Sequence, residues 1–246
     1  MAKVIAVATH KGGQAKTSTV KNLALAASEV GKTLIIDLDP QYSLTRWVGA
    51  KVYKTIANFY EGEPIQNTIT SLRENLDIIG GNLKMEKISQ DIISRNHREY
   101  ILKKGLYPIL DKYDYIIIDT PPSLGSTVKN AIIAADLIVI PVSHEAGSTE
   151  GLLDFVHLAK ELLIDSEPKF KLVLTKVDKR KSNASKAIQE DLTAFNLLDK
   201  VSKTQIPIDA AIDNSNIGCI MVDEYDKNSE SLKAYRTLFK EVDSII

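Results

Sequence analysis

The sequence Lys11-Gly12-Gly13-Gln14-Ala15-Lys16-Thr17-Ser18 separates an apolar run over 4–8 from a helical pattern over 17–30. A strand, a glycine loop and a helix N-terminus in this order form a cradle for phosphate, because exposed backbone N–H groups and the helix dipole favour an anion there. Gly12 and Gly13 allow the backbone to approach phosphates closely. We expect Lys16 to contact the β- and γ-phosphates of a nucleotide and the Thr17 hydroxyl to bind Mg²⁺.

The ordinary P-loop pattern, G-x-x-x-x-G-K-[ST], is not matched, because His10 and Ala15 occupy its glycine positions. The spacing matches the variant K-G-G-x-x-K-[ST], which has an additional lysine, here Lys11. On these residues the chain resembles the ParA/MinD family of deviant Walker A ATPases. In that family the additional lysine reaches the partner's phosphates in a nucleotide-sandwich dimer. Many members have glycine where this chain has Ala15, so we expect a slightly different loop path or a slower ATPase.

The resemblance implies one nucleotide site for ATP and Mg²⁺ along this stretch, with Lys11 and Lys16 as catalytic residues. The alternative is a glycine turn that only joins a strand to a helix. This simple-turn alternative is disfavoured, because later motifs in the chain also match those of the same family in order and position. The expected nucleotide contacts are Lys11, Gly12, Gly13, Gln14, Ala15, Lys16, Thr17 and Ser18.

The apolar runs predict an α/β fold, a mostly parallel twisted sheet with helices on both faces. Nearly continuous apolar runs are typical of strands that are buried on both sides of such a sheet. They alternate with helical patterns and lie at 4–8, 34–36, 76–79, 115–118, 137–142 and 172–175. For a chain of 246 residues we expect a single P-loop ATPase domain over 1–246.

Composition narrows the class of protein. With 44% hydrophobic residues, 26% charged residues and a formal net charge of -1, the chain is typical of globular proteins and lacks a chain-wide basic surface. Its one cysteine, Cys219, excludes a disulfide framework or a multi-cysteine metal site within one chain. No apolar run approaches the ~20 residues that span a bilayer, and no leader pattern is found. We therefore expect a cytoplasmic protein without stable membrane insertion.

Two acidic motifs follow predicted strands, at the sheet edge where open α/β folds bind ligands. Asp37-Leu38-Asp39-Pro40-Gln41 resembles the family's first switch, which implies that Asp39 orients or activates the attacking water and that Asp37 supports the magnesium shell. Alternatively, both acids only cap the next helix. Asp119-Thr120-Pro121-Pro122 resembles the second switch. A strand-ending carboxylate of this Walker B type binds Mg²⁺ directly or through water, although a plain turn is the alternative for Asp119.

Two loops are candidates for the base site. Thr175-Lys176-Val177-Asp178 resembles the Asn-Lys-x-Asp guanine motif, which raises GTP as an alternative. Thr175 replaces its asparagine and the surrounding motifs are those of ATPases, so we favour ATP, with Thr175 at the base site. Ile206-Pro207-Ile208-Asp209 takes the place of the family's Ile-Pro-Arg-Asn loop, which makes Pro207 and Asp209 adenine-site candidates.

The last predicted helix, over 229–246, has an apolar stripe at helical spacing. We expect this stripe to dock on the core. The alternative is a membrane helix of the MinD type, which needs a strongly basic polar face, whereas here Lys233 and Lys240 are mixed with Glu241 and Asp243. The stripe consists of Leu232, Tyr235, Leu238, Val242 and Ile245.

Within the superfamily, a lone Cys219 disfavours the iron–sulfur and zinc-clasped relatives. The resemblance then implies a ParA-like partition ATPase: a homodimer on ATP binding that binds nonspecific DNA and is released when a partner of the ParB type stimulates hydrolysis. Such a protein would be nucleoid-associated. The DNA candidates, for which a solvated charged face is the alternative, are Lys179, Arg180, Lys181, Lys186 and Lys203.

Two other functions stay open. A MinD-like positioning ATPase would act at a membrane. A nucleotide-binding scaffold with little turnover would result if His10 and Ala15 spoil the cradle. A Rossmann dinucleotide enzyme is disfavoured, because G-x-G-x-x-G is absent after the first strand. The cargo, whether plasmid, chromosome or protein assembly, is also open.

Overall fold

A seven-stranded sheet forms the centre of the molecule. The structure is a computed structural model that describes residues 1–145, 147–163, 169–178, 180 and 182–246. The strands are β1 (Lys3–Val7), β2 (Thr33–Asp37), β3 (Thr70–Arg73), β4 (Leu76–Ile79), β5 (Tyr115–Asp119), β6 (Leu137–Ser143) and β7 (Phe170–Thr175). Their order across the sheet is β3-β4-β2-β5-β1-β6-β7. Neighbours pair in parallel except β3 and β4, so the predicted mostly parallel sheet is confirmed.

Helices cover both faces of the sheet. The α-helices are α1 (Lys16–Ser28), α2 (Ser43–Trp47), α3 (Ile56–Tyr60), α4 (Lys84–Asp91), α5 (Ile101–Leu106), α6 (Ser126–Ala134), α7 (Leu152–Leu162), α8 (Ser182–Ala194), α9 (Ala210–Ile217), α10 (Val222–Tyr225) and α11 (Glu230–Asp243). Short 3₁₀ helices lie at Ile65–Thr68, Ile92–Ser94, Arg98–Tyr100, Tyr107–Lys112 and Leu198–Lys200.

The alternating direction of side chains along a strand divides the core into two layers. In β1, Ile5 and Val7 belong to the layer that α1 and α11 cover. Val4 and Ala6 belong to the opposite layer, formed with α3, α4, α5 and α6. Because both layers are apolar, the central strands are buried on both sides, as their nearly continuous apolar runs predict.

The apolar stripe of α11 docks on the core. Leu232, Tyr235, Leu238 and Val242 are at most 1% exposed and pack in the same cluster as residues of α1. The predicted docking of the stripe on the core is therefore confirmed for these four residues. Within the described part of the chain, no helix has both the length and the apolar character needed to cross a membrane.

The sheet edge at the carboxyl ends of the central strands gathers the acidic motifs. Asp119 of β5 is in register with Val7 of β1 on one side and with Asp37 of β2 on the other. The loop that leaves β1 therefore starts beside both carboxylates. This register places the predicted phosphate cradle and the two predicted switches at one edge.

Candidate nucleotide-binding site

The backbone between β1 and α1 has the form of a phosphate cradle. Gly13 has a φ of 78°, and Ala15, the residue before α1, has a φ of 65° and a ψ of 29°. No side chain caps the N-terminus of α1, so the N–H groups of its first turn are open to an anion. A left-handed conformation at an L-residue costs ~1 kcal/mol, so the backbone at Ala15 is strained.

Lys16 is buried at the floor of this cradle. Its Nζ donates a hydrogen bond to the Lys11 carbonyl oxygen over 3.2 Å. Desolvation lowers the pKa of Lys16, and the charges of Asp119 and Asp39 oppose that shift. An ammonium group that has lost water in this way gains from a phosphate brought next to it.

Asp119 is the most unusual carboxylate of the site. It is fully buried, and neither of its carboxylate oxygens accepts a hydrogen bond from the residues that the structure describes. Desolvation, followed by the nearby charge of Asp37, raises the pKa of Asp119 well above its ordinary value, and the adjacent Thr17 opposes the rise. Buried, unpartnered carboxylate oxygens beside a hydroxyl fit a bound hard cation such as Mg²⁺, which keeps waters and needs few protein ligands.

Asp37, in contrast, is engaged with the start of α2. Its Oδ2 accepts hydrogen bonds from the Thr45 N–H over 2.9 Å and from the Thr45 hydroxyl over 2.7 Å. Its Oδ1 accepts one from the Asp39 N–H over 3.2 Å. Burial raises the pKa of Asp37 to about 6, although these bonds oppose the shift. Asp37 thus anchors the first-switch loop, and its support of a magnesium shell stays a prediction.

Asp39 lies on the wall of the cleft above the cradle. One of its oxygens accepts a hydrogen bond from the Gln41 N–H over 2.9 Å. The cleft encloses about 560 Å³. Its lining consists of residues 12–18 of the cradle together with Asp39, Trp47, Pro122, Lys176, Asp213, Asn216 and Ile217. Asp39 therefore borders the same cleft as the cradle, and its role towards the attacking water stays a prediction.

Within the predicted nucleotide-binding stretch over 11–18, the side chains of Lys11 and Gln14 point away from the cleft. Lys11 is turned towards its own chain, where its Nζ donates to the Gly147 carbonyl oxygen over 2.6 Å and to Glu150 over 2.9 Å. The Gln14 side chain is buried, and its Oε1 accepts a hydrogen bond from the Ser143 N–H over 2.6 Å. The Gln14 side chain thus fastens the cradle to the end of β6.

A second cavity of about 270 Å³ lies beside the cleft. It brings together the three predicted base-site residues, Thr175, Pro207 and Asp209, with eight others: Ala15, Ser18, Lys176, Ile206, Ile208, Ile212, Asp213 and Tyr235. A mostly apolar cavity with a few polar groups, next to a phosphate cradle, suits a nucleobase. The base-site role of the three residues stays a prediction.

Thr175 and Asp209 already have protein partners. The Thr175 hydroxyl donates to the Gln14 carbonyl oxygen over 3.2 Å. Asp209 caps α9 by accepting from the Ala211 N–H over 2.9 Å, and its other oxygen accepts from the Ser229 hydroxyl over 2.6 Å and the Ser231 N–H over 3.0 Å. Burial alone would raise the pKa of Asp209, but these bonds lower it.

In the guanine-like motif over 175–178, Lys176 and Asp178 also form hydrogen bonds within the chain. The Asp178 carboxylate accepts bonds from the Arg180 guanidinium over 2.9 and 2.8 Å, in an ion pair whose arginine is largely exposed. Lys176 Nζ donates to the Gly13 carbonyl oxygen over 2.9 Å, so Lys176 crosses the top of the cradle. Asp178 does not line the smaller cavity.

The predicted DNA residues are only partly described. Arg180, Lys186 and Lys203 are exposed, and Arg180 is paired with Asp178. Lys179 and Lys181 lie outside the described residues. Their contact with DNA stays a prediction.

The sequence did not indicate several residues of the cleft. Asp213, Asn216 and Ile217 come from α9, and Trp47 comes from the end of α2. Lys176 had a signal through its place in the guanine-like motif, and Pro122 had one through the second-switch motif. Asn216 and Ile217 lie in the stretch Ser215-Asn216-Ile217-Gly218, which also resembles the family. That resemblance did not place Asn216 and Ile217 at the cleft, and Asp213 had no signal for it, because nothing in a sequence shows that a helix nearly two hundred residues further on docks beside the cradle.

Comparison with known proteins identifies the family. A family model described as an AAA domain matches residues 2–172. The sporulation initiation inhibitor protein Soj of Bacillus subtilis (strain 168) is 33% identical over 98% of this chain and 98% of its own length. The chain is a ParA-like member of the ParA/MinD family. The chromosome partitioning protein ParA of Myxococcus xanthus (strain DK1622) is 33% identical over 76% of this chain and 70% of its own length.

Solved structures agree with this family. A putative plasmid partition protein of Borrelia burgdorferi B31, bound to AMPPNP, has a TM-score of 0.86 at 26% identity and covers 100% of both chains. Apo McdA of Cyanothece has a TM-score of 0.87 at 22% identity over 98% of this chain and 99% of its own, which shows the shared fold. The P-loop NTPase fold predicted from the cradle is therefore confirmed.

Proposed function

We propose that this chain is an Mg²⁺-dependent partition ATPase. It dimerises on binding ATP, binds nonspecific DNA in that state, and is released when a partner of the ParB type stimulates hydrolysis. The observation that carries the proposal is the buried Asp119 carboxylate, whose oxygens have no hydrogen-bond partner among the described residues, next to an open phosphate cradle. The partition role is supported by the names of the relatives, a sporulation inhibitor Soj and a chromosome partitioning ParA.

The residues present fit a bound Mg·ATP. Thr17 and Asp119 would hold Mg²⁺, the cradle N–H groups and Lys16 would bind the phosphates, and the smaller cavity would hold adenine. When bound, Mg²⁺ neutralises phosphate charge. Lys16 contributes further positive charge where negative charge develops, which is the main electrostatic means of stabilising such a transition state.

Asp39 is suited to orient the attacking water. Its carboxylate lines the cleft and is held by the Gln41 N–H, whereas Asp37 is buried and holds the loop beneath it. The two acids of the first switch thus have different tasks in this proposal. Asp39 positions or deprotonates water at the terminal phosphate, and Asp37 fixes where Asp39 lies.

Dimerisation would give Lys11 its task. In the single chain, Lys11 points away from the cleft and is bound by Gly147 and Glu150. A lysine at the rim of the cradle that does not serve its own cleft is available to the phosphates of a second copy, once those bonds are released. Hydrolysis would remove the phosphate that attracts it, and the dimer would separate.

Co-sedimentation tests the proposal. The purified protein is mixed with nonspecific duplex DNA or with anionic liposomes, each with ATP, ADP or no nucleotide, and phosphate release is followed in parallel. Capture by DNA that requires ATP, together with phosphate release, supports the partition ATPase. Capture by liposomes alone supports the MinD-like alternative, although the covered stripe of α11 disfavours it. ATP binding without phosphate release would support the scaffold alternative.

A further inference from the structure

The two cavities of the nucleotide site meet at shared residues. The larger cavity contains the phosphate cradle, and the smaller one contains Pro207 and the other base-site residues. A nucleoside triphosphate has its ribose between the base and the phosphates. The residues that line both cavities therefore surround the position of the ribose, and they are Ala15, Ser18, Lys176 and Asp213.

Among these four residues, Asp213 is the one with a carboxylate. The ribose presents two hydroxyl groups, the 2′- and 3′-hydroxyls, each of which can donate a hydrogen bond. An ionised carboxylate only accepts hydrogen bonds and has two oxygens for doing so, whereas Lys176 can only donate and Ala15 has no polar side-chain atom. Ser18 has a hydroxyl that could accept a single bond. Asp213 thus best matches the hydrogen-bonding pattern of the ribose.

The placement of α9 supports this assignment. Ile212 lines the smaller cavity, and Asn216 and Ile217 line the larger one, so α9 runs along both cavities. A helix rises about 6 Å over four residues, which is close to the length of a sugar ring with its substituents. Asp213 lies in the first turn of α9, where Asp209 caps the helix and fixes its start. The side chain of Asp213 is exposed, so it can reach a ligand without breaking a buried contact.

We infer that Asp213 accepts hydrogen bonds from the ribose hydroxyls and thereby selects ribonucleotides over deoxyribonucleotides. This inference rests on the proposed binding of ATP and adds a specificity to it. Hydrogen bonds to a charged group are worth more than those between neutral groups, but water competes for an exposed carboxylate. We therefore expect each ribose hydroxyl to contribute about tenfold in affinity, at the low end for charged acceptors.

Calorimetric titration with diphosphates tests the inference without interference from hydrolysis or ATP-dependent dimerisation. The ligands are ADP, 2′-deoxy-ADP and 3′-deoxy-ADP, each with Mg²⁺. The proteins are the native chain, Asp213→Ala, Ser18→Ala, and Asp199→Ala as a control. Asp199 is a largely exposed acid that lines neither cavity, so its replacement removes the same charge elsewhere.

The native chain and Asp199→Ala should bind ADP about tenfold more tightly than either deoxy ligand. Asp213→Ala loses the bonds to both hydroxyls, so it should bind all three ligands with the same affinity, about tenfold more weakly than the native chain binds either deoxy ligand. Equal binding of ADP and both deoxy ligands by the native chain would overturn the inference, as would a preference that survives Asp213→Ala or disappears only in Ser18→Ala. A chain that binds none of the ligands would overturn the proposed function itself, a result distinct from loss of selectivity.

Discussion

Lys11 Nζ lies 2.9 Å from the Glu150 carboxylate of the same chain. The Gly147 carbonyl oxygen accepts a second bond from this amine, over 2.6 Å. In the proposed dimer the same amine serves the partner's phosphates. Both contacts must then be released before the dimer closes, so they oppose dimerisation.

Weakening this contact should favour the dimer. Glu150→Gln removes the charge but keeps an oxygen acceptor. Because Glu150 is 75% exposed, the ion pair is worth at most about 1 kcal/mol. We expect half-maximal dimerisation, followed by sedimentation velocity, at an ATP concentration about two- to fivefold lower than for the native chain.

Glu145→Gln is the matched control, since Glu145 is an exposed acid of the same loop. It should leave the dimerisation curve where it is. Lys11→Ala should abolish dimerisation. If Glu150→Gln and Glu145→Gln shift the curve equally, the effect comes from loop charge and not from the contact with Lys11.

The strain at Ala15 predicts that glycine is better tolerated there than inside α1. Ala15 has a φ of 65°, a conformation in which glycine avoids a cost of ~1 kcal/mol. Glycine also has more conformational freedom in the unfolded chain, which lowers the free energy of unfolding by ~0.4–1 kcal/mol. Ala15→Gly should therefore change the free energy of unfolding by less than about 0.5 kcal/mol, or raise it slightly, when measured by urea denaturation.

Ala26→Gly provides the comparison, because Ala26 lies inside α1 and is buried. Glycine in a helix interior costs ~1 kcal/mol, so this variant should be clearly less stable than the native chain. Equal losses for the two variants would show that the backbone at position 15 carries no strain.

Two substitutions should separate nucleotide binding from hydrolysis. Lys16→Ala removes the buried ammonium from the cradle and should abolish ATP binding. Asp39→Ala leaves the cradle intact, so ATP should still bind and the dimer form, while phosphate release falls by about 10²–10⁴-fold, the usual loss for a general base. Binding can be followed by the fluorescence of Trp47, the single tryptophan, which lines the cleft. Normal hydrolysis by Asp39→Ala would refute the role of Asp39.

The sequence predicted those features of the fold and the site that depend on residues close together in the chain. Apolar runs predicted six of the seven strands, all except β3. The loop between β1 and α1 predicted the cradle, because a strand, glycines and a helix start are adjacent in the chain. Asp119 was predicted by its place at a strand end. In the structure these features meet at one sheet edge, since parallel strands bring their carboxyl ends together.

The partners of the polar side chains could not be predicted in the same way. Asp209 caps α9 and also accepts from Ser229 and Ser231, which depends on where α11 docks. Lys11 meets Glu150 only because the loop after β6 folds beside the cradle. Such contacts join segments that are far apart in the chain, and many acids along the sequence were equally suitable partners.

Lys21 is a buried lysine that the proposed function does not use. It lies in α1 with no exposed surface, and its Nζ donates to the Ser215 hydroxyl over 3.2 Å and to the Asn216 side-chain oxygen over 2.8 Å. Burial lowers the pKa of Lys21 from 10.5 to about 8, although the nearby Cys219, Glu224 and Asp223 oppose the shift. The protonated amine is therefore less stable in the folded chain than in the unfolded one.

The depressed pKa fixes the sign of a pH effect. Between pH 8 and pH 10.5 the unfolded chain keeps a proton on Lys21 that the folded chain has lost, so the contribution of Lys21 to stability improves as the pH rises. Lys21→Met keeps the apolar stem and removes the charge. Near pH 7 this substitution should raise the free energy of unfolding by up to about 3 kcal/mol, reduced by the contribution of the two hydrogen bonds that are lost. The difference from the native chain should become smaller towards pH 10. Urea denaturation at several pH values measures the difference, with the exposed Lys233→Met as a control. An advantage that does not vary with pH would contradict the buried-charge explanation, because removing an apolar packing defect would act equally at every pH.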